Sequence, residues 1–185
     1  MNRSSERGKM SMSSIAINYR IESAKDWDNI LAHIRSDVSN KRVKINVFDE
    51  SGEELDVPSG VGHVKTTKNS SMQNIFESVF NGENGNEDVS GFCVLQKNEL
   101  IVLSSVEDWF SGPVDIVYGD HMQNGIRMYK KSPPVVNMHT PALFISRRLI
   151  TKEILSRGVS RETIGMMFSS CVRAVHIPKV LSRIF

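Results

Sequence analysis

Between residues 15 and 57 the apolar pattern changes period twice, and that switching limits what the chain can fold into. Ile15, Ile17, Tyr19 and Ile21 alternate with Ala16, Asn18, Arg20 and Glu22, a period of two that predicts a strand with one wet face. Trp27, Ile30, Leu31, Ile34 and Val38 then recur at helical spacing, with Ser23 and Asp26 placed as in a capping box. Val43, Ile45 and Val47 alternate again, the run DESG at 49–52 supplies turn chemistry, and Leu55 and Val57 are spaced to return as a partner strand. The reading is a strand, an amphipathic helix and a hairpin.

Further along, 58–69 reads as a loop, Met72, Ile75, Phe76, Val79 and Phe80 form a helical stripe, and Asn81-Gly82 is a left-handed stop. Phe92–Leu95 and Leu100–Leu103 flank the polar turn QKNE, and 114–118 and 126–129 flank Asn124-Gly125, a strong short-range hairpin signal. Two helices follow Pro133-Pro134: one opened by Thr140 and Pro141 and ended by Gly158, the other running from Ser160 to Val175. Residues 142–145 also fit a strand. These elements predict an α+β fold with an antiparallel sheet, packed helices and a C-terminal helical pair. The expected organisation is a flexible basic tail at 1–13 and a single α+β domain at 14–185, with its C-terminal helical segment at 141–185.

The chain of 185 residues suits one core, and its longest apolar runs are four residues, far short of the roughly 20 that cross a bilayer. Cys93 and Cys171 lack zinc spacing and lie in apolar stretches, so two buried free thiols in a reducing compartment are expected. A net charge of +2 conceals a polar layout. Residues 1–25 carry 5 basic and 2 acidic groups, 26–140 carry 10 and 17, and 141–185 carry 8 and 2. Arg3, Arg7 and Lys9 sit in the tail, and Arg147, Arg148, Lys152, Arg157, Arg161 and Arg173 lie on or between the last helices. Basic amphipathic helices suit phosphate-rich partners, nucleic acid or anionic lipid; solvated faces of core helices give the same pattern.

Chemistry is sparse. Five scattered histidines show no metal-ligand spacing. Asp120-His121 has no nucleophile elbow beside it, and the SGVGHVKTTK run at 59–68 has the wrong spacing for a phosphate loop. No catalytic residue, metal site or cofactor is expected, and the chain reads as a non-enzyme. Residues 150–168, ITKEILSRGVSRETIGMMF, resemble a helix-turn-helix motif, with Gly158 at the turn and Arg161, Glu162 and Thr163 where a recognition helix begins. Ile154 departs from it, standing where a small residue is usual. Two antiparallel core helices would produce a similar pattern.

A basic Ser-rich tail, the strand SIAINYRIES, the helix AKDWDNILAHIRSDV and the strand KRVKINVFDES together resemble the start of the matrix-protein core of rhabdoviruses, the small plant-infecting type. The resemblance covers about the first 50 residues, and Pro133-Pro134-Val135-Val136 lacks the tyrosine of the PPxY budding motif. It implies a viral structural protein that self-associates as a homo-oligomer, contacts an anionic lipid surface through Arg3, Arg7 and Lys9, and bridges to the viral nucleocapsid or nucleic acid. Its expected location is the virion and the host cytoplasm, peripheral to membrane, with the nucleus open. The alternative is a nucleic-acid-binding regulator using the C-terminal helical pair.

Overall fold

The computed structural model describes residues 14–34, 42–95, 98–102, 113–128, 143–171 and 173–184. The expected tail at 1–13 and the end of the first helix at Val38 lie outside them. Among the described residues, nine strands form one sheet. These are β1 (Ser14–Ile21), β2 (Val43–Asp49), β3 (Val61–Lys65), β4 (Val89–Leu95), β5 (Glu99–Ile101), β6 (Ile116–Gln123), β7 (Ile126–Met128), β8 (Leu143–Ser146) and β9 (Ala174–Ile184). The helices are α1 (Ala24–Ile34), α2 (Ser71–Asn81), α3 (Lys152–Arg157) and α4 (Arg161–Ser169). The strand order is β3-β2-β1-β4-β8-β6-β9-β5, with β7 added to β6.

The sheet is mixed. β1 runs parallel to β2 and to β4, and β2 runs parallel to β3. β8 is antiparallel to both β4 and β6, which are thereby joined through it, while β6 and β9 are parallel. This corrects the expected antiparallel sheet with a C-terminal helical pair. Periodicity identifies a strand but not its partner. The 43–57 hairpin does not form, because β2 pairs with β1 and β3 instead. The expected loop at 58–69 contains β3, an edge strand whose half-exposed Val61 and Gly62 and exposed His63 carry no clear alternation. Around QKNE, β4 and β5 turn to different partners, β5 pairing with β9. Residues 143–146 are strand, α3 and α4 are short, and the tail beyond them is the eleven-residue β9. The Asn124-Gly125 hairpin is present, with both residues at positive φ (50° and 77°). The stop after α2 is present too, with Gly82 left-handed and its N–H donating to Ser78 O.

The expected wet face of β1 is buried. Helices cover both sides of a parallel sheet, so its inner strands have no solvent side. Ile15, Ile17, Tyr19 and Ile21 pack against Trp27, Ile30 and Ile34 of α1. Ala16 faces the opposite core with Phe48, Ile75, Phe76, Phe92, Ile154 and Met167. On that second face Asn18 and Asn46 are register partners, and both are fully buried. Asn18 Nδ2 donates to Cys93 O at 2.9 Å, and the Asn46 amide lies between Asn18, Asn86 and Asn84 in either of its two orientations. A buried amide left unpaired costs about 1–3 kcal/mol, so this network favours one register of β1 on β2.

Gly62 stands beside Asn46 because a Cβ there would overlap the Asn46 amide. Gly62→Ala is therefore expected to lower stability by about 1–3 kcal/mol through overpacking. Chemical denaturation of the two proteins side by side measures the difference, and equal midpoints would contradict the account.

Candidate functional site

Successive crossovers leave β1 on opposite sides, to β2 by way of α1 and, after β3 and α2, to β4. In open α/β sheets such a reversal opens a crevice beyond the carboxyl ends of the two central strands. A hollow of about 270 Å³ lies beside that point, lined by Asp26, Asn29, Ile30 and His33 of α1 and by Asn98 and Leu100 just after β4.

The start of α1 is fixed locally. Ser23 Oγ donates to Asp26 Oδ2 at 2.8 Å and accepts from the Asp26 N–H at 3.3 Å, which realises the expected capping pair. Trp27, on the buried face, donates through Nε1 to Asp56 O at 2.8 Å. One turn along, His33 Nδ1 lies 2.9 Å from Asn29 O, so in the neutral ring the proton sits on Nδ1. The hollow thus offers a carboxylate, two amides and an imidazole around two aliphatic side chains, Ile30 and Leu100.

The carboxyl ends of β2 and β3 extend this edge with a polar cluster. Asp49, 3% exposed, accepts from Ser51 N (2.9 Å) and Ser51 Oγ (2.6 Å) at Oδ1, and its Oδ2 lies 3.2 Å from His63 Nε2. Burial raises its pKa, but the Ser51 and His63 hydrogen bonds outweigh that and hold the carboxyl below its ordinary 3.8. Next to it Glu50 Oε1 accepts from Arg20 Nε and Nη2, both at 3.1 Å, while Arg20 Nε also reaches Ser71 Oγ at the start of α2. Glu50 Oε2 is buried with no hydrogen-bond partner among the described residues.

The structure distributes the residues singled out from sequence among different roles. Arg147 is a brace: Nη2 donates to Phe80 O at 2.7 Å and Nη1 to Glu87 O at 3.1 Å, closing the last turn of α2 where a cation meets the negative end of the helix. Arg148 donates from Nε to the buried Asp115 Oδ1 at 2.7 Å. Arg157 pairs with Glu153 at 2.8 Å one helical turn away, and Lys152 is exposed. Arg173 is exposed beside Arg148, so those two come together. Arg3, Arg7, Lys9 and the Arg161 side chain lie outside the description.

In the helix-turn-helix-like segment Ser160 and Thr163 form a capping box, and Thr163, 3% exposed, donates to Gly158 O at 2.8 Å. Its hydroxyl therefore faces the turn. Asp120 is buried against Arg127 (2.7 Å) and His176 (3.4 Å). His139 is outside the described residues, which contain no group of three or more potential metal ligands. Of the two free thiols, Cys93 is buried as expected and Cys171 is only half-buried. Burial, with the Glu99 charge, pushes the Cys93 thiol well up. None of the described helices is long and apolar enough to cross a membrane.

Asn29, His33 and Asn98 carry no motif and were not expected to act together. His33 is one of the scattered histidines, and Asn98 belongs to the turn QKNE. The tertiary fold, which sets the segment after β4 against α1, brings them to one hollow.

No protein-family model and no curated protein matches the chain. Among the solved structures similar to it is the "crystal structure of a glycosyltransferase involved in the glycosylation of the major capsid of PBCV-1", with 9% identity over 92% of this chain and 93% of that one, at a TM-score of 0.49. A likeness of that size assigns no activity to this chain, and the expectation of a non-enzyme is not carried further.

Because Asp49 is held below 3.8 in the folded protein, its contribution to stability is present above that pH and is lost as pH falls through the folded value. Asp49→Asn is expected to cost about 1–3 kcal/mol at pH 7. It should also flatten the acid limb of the stability profile, read as melting temperature from pH 7 down to about 2. Parallel profiles for the two proteins would count against the carboxylate's role.

Proposed function

We propose that the chain is an α/β ligand-binding domain that takes a small hydroxyl-bearing molecule, the size of a monosaccharide or nucleoside, between α1 and the segment after β4. One observation carries this: the hollow lies between α1, which follows β1, and the segment that follows β4, the two strands about which the order reverses, and doubly wound sheets bind ligands near such a reversal. Its lining supports the ligand class. Asp26, Asn29 and Asn98 are suited to paired hydrogen bonds with neighbouring hydroxyls, and Ile30 and Leu100 to the apolar face of a ring. A volume of about 270 Å³ falls below the ~300–1,000 Å³ usual for drug-sized ligands, which favours a compact molecule.

A second reading draws on the exposed Arg148, Lys152, Arg157 and Arg173 in a segment with 8 basic and 2 acidic groups. In it the protein is of matrix type, self-associating and meeting an anionic membrane, nucleocapsid or nucleic acid through that end. Assembly driven by the acidic middle and basic end would weaken with salt, since fields are screened over about 8 Å at physiological ionic strength. Sedimentation velocity from low to high salt should then show oligomers dissolving. A monomer at every salt concentration would remove this reading.

For the first reading, Asn29→Trp fills the hollow from an exposed position without touching the core. Ligand-observed NMR with a panel of monosaccharides and ribonucleosides should detect binding to the intact chain. The substitution should weaken it at least tenfold, about 1.4 kcal/mol, with an unchanged melting temperature. Absence of binding across the panel, or binding indifferent to Asn29→Trp, would reject the proposal.

A further inference from the structure

A second hollow, sharing no lining residue with the first, lies where β8 passes into the 3-10 turn Arg147–Leu149. It is open, about 590 Å³, and lined by Pro113, Asp115, Arg148, Leu149, Ser170 and Arg173. Asp115 is 2% exposed, and both of its oxygens are engaged: Oδ1 by Arg148 Nε at 2.7 Å and Oδ2 by the Arg173 N–H at 3.0 Å. The buried carboxylate therefore grips Arg148 by its inner edge. The terminal Nη1 and Nη2 make no hydrogen bond to any described residue, and neither does the exposed Arg173 guanidinium.

We propose that this hollow binds a phosphomonoester group between the outer edge of Arg148 and the guanidinium of Arg173. Two guanidinium groups against one carboxylate leave a net charge of +1, and a planar fork held from behind is suited to phosphate oxygens. The carboxyl end of α4 also borders the hollow and would by itself repel an anion. Its last carbonyls are capped: Met166 O accepts from Ser169 Oγ and Ser170 Oγ, Met167 O from Ser170 N, and Phe168 O from Cys171 N. The site is suited to one phosphate rather than a polymer backbone, because two of the neighbouring arginines are engaged elsewhere. Arg147 is occupied by three carbonyls and Arg157 by Glu153. A hollow of about 510 Å³ that also has Arg148 in its lining includes Phe80, Val89, Val114 and Ile150, which leaves room for a largely apolar body attached to the phosphate.

Calorimetric titration of the intact chain with glycerol 3-phosphate and with inorganic phosphate, at fixed salt, tests the site. Saturable binding is expected for both, with none for glycerol. Arg173→Met, whose side chain has no described partner to lose, should weaken binding at least tenfold at an unchanged melting temperature, and Arg157→Met should not. Arg148→Met should act like Arg173→Met; combining it with Asp115→Asn avoids a stranded buried carboxylate if the single variant is unstable. Flotation with phosphatidic-acid vesicles distinguishes the sources: capture lost in Arg173→Met assigns the phosphate to a lipid headgroup, and binding of soluble esters alone assigns it to a free metabolite. Three results would each overturn the proposal: no phosphate binding, binding indifferent to Arg148 and Arg173, and tighter binding of an oligonucleotide than of the monoester.

Discussion

The rest of the structure depends on β1 having a parallel partner on each edge. Residues 15–21 run in register with 43–49 on one side, and 15–19 with 91–95 on the other. A strand in that position must be covered on both faces, and its polar side chains must find partners inside the protein. Asn18 finds them in Cys93 O and the Asn46 amide; Arg20 finds them in Glu50 and Ser71. The same pairing sends α1 to one face and α2 to the other, and leaves the crevice where their crossovers diverge.

β8 then links two different halves of the sheet. Its antiparallel pairing with β4 and β6 ends the parallel group and passes the chain into the turn that carries Arg147 and Arg148. Adjacent in sequence and alike in chemistry, those two residues serve different ends. Arg147 reaches back to the carboxyl end of α2 and its guanidinium is consumed by carbonyls. Arg148 is anchored on Asp115 with its outer edge directed at a hollow. A patch of positive charge in a sequence is thus divided by the fold into structural braces and available cations, and only the second kind can recognise a partner.

Local signals were legible where a few neighbouring residues decide the outcome. The capping pair Ser23 and Asp26, the Asn81-Gly82 stop and the Asn124-Gly125 turn all act over two to four residues, and all are present as read. Signals that depend on distant partners were not. The alternation in β1 looks like a half-solvated strand because Asn18 and Arg20 are polar, and nothing nearby says that Asn46 and Glu50 will satisfy them. β3 was invisible for the opposite reason: an edge strand with Gly62 and His63 in its middle shows no period, yet its glycine is required by the neighbouring amide. The start of β9 continues the apolar stripe of a helix as far as Val175, and its Pro178 is accommodated by a shift of register in β6 between Gly119 and His121.

The sequence by itself determined the places where the backbone changes direction, most of the buried apolar residues and the uneven distribution of charge. These follow from side-chain volume, φ preference and ionisation, properties that belong to single residues or short windows. Tertiary structure alone decided which strands pair, and with that whether the sheet is parallel, where Asn29, His33 and Asn98 meet, and which arginines remain available. Strand pairing is a choice among partners dozens of residues apart. It is made by the summed burial of two faces and the satisfaction of a few interior amides, quantities that exist only once the chain has come together.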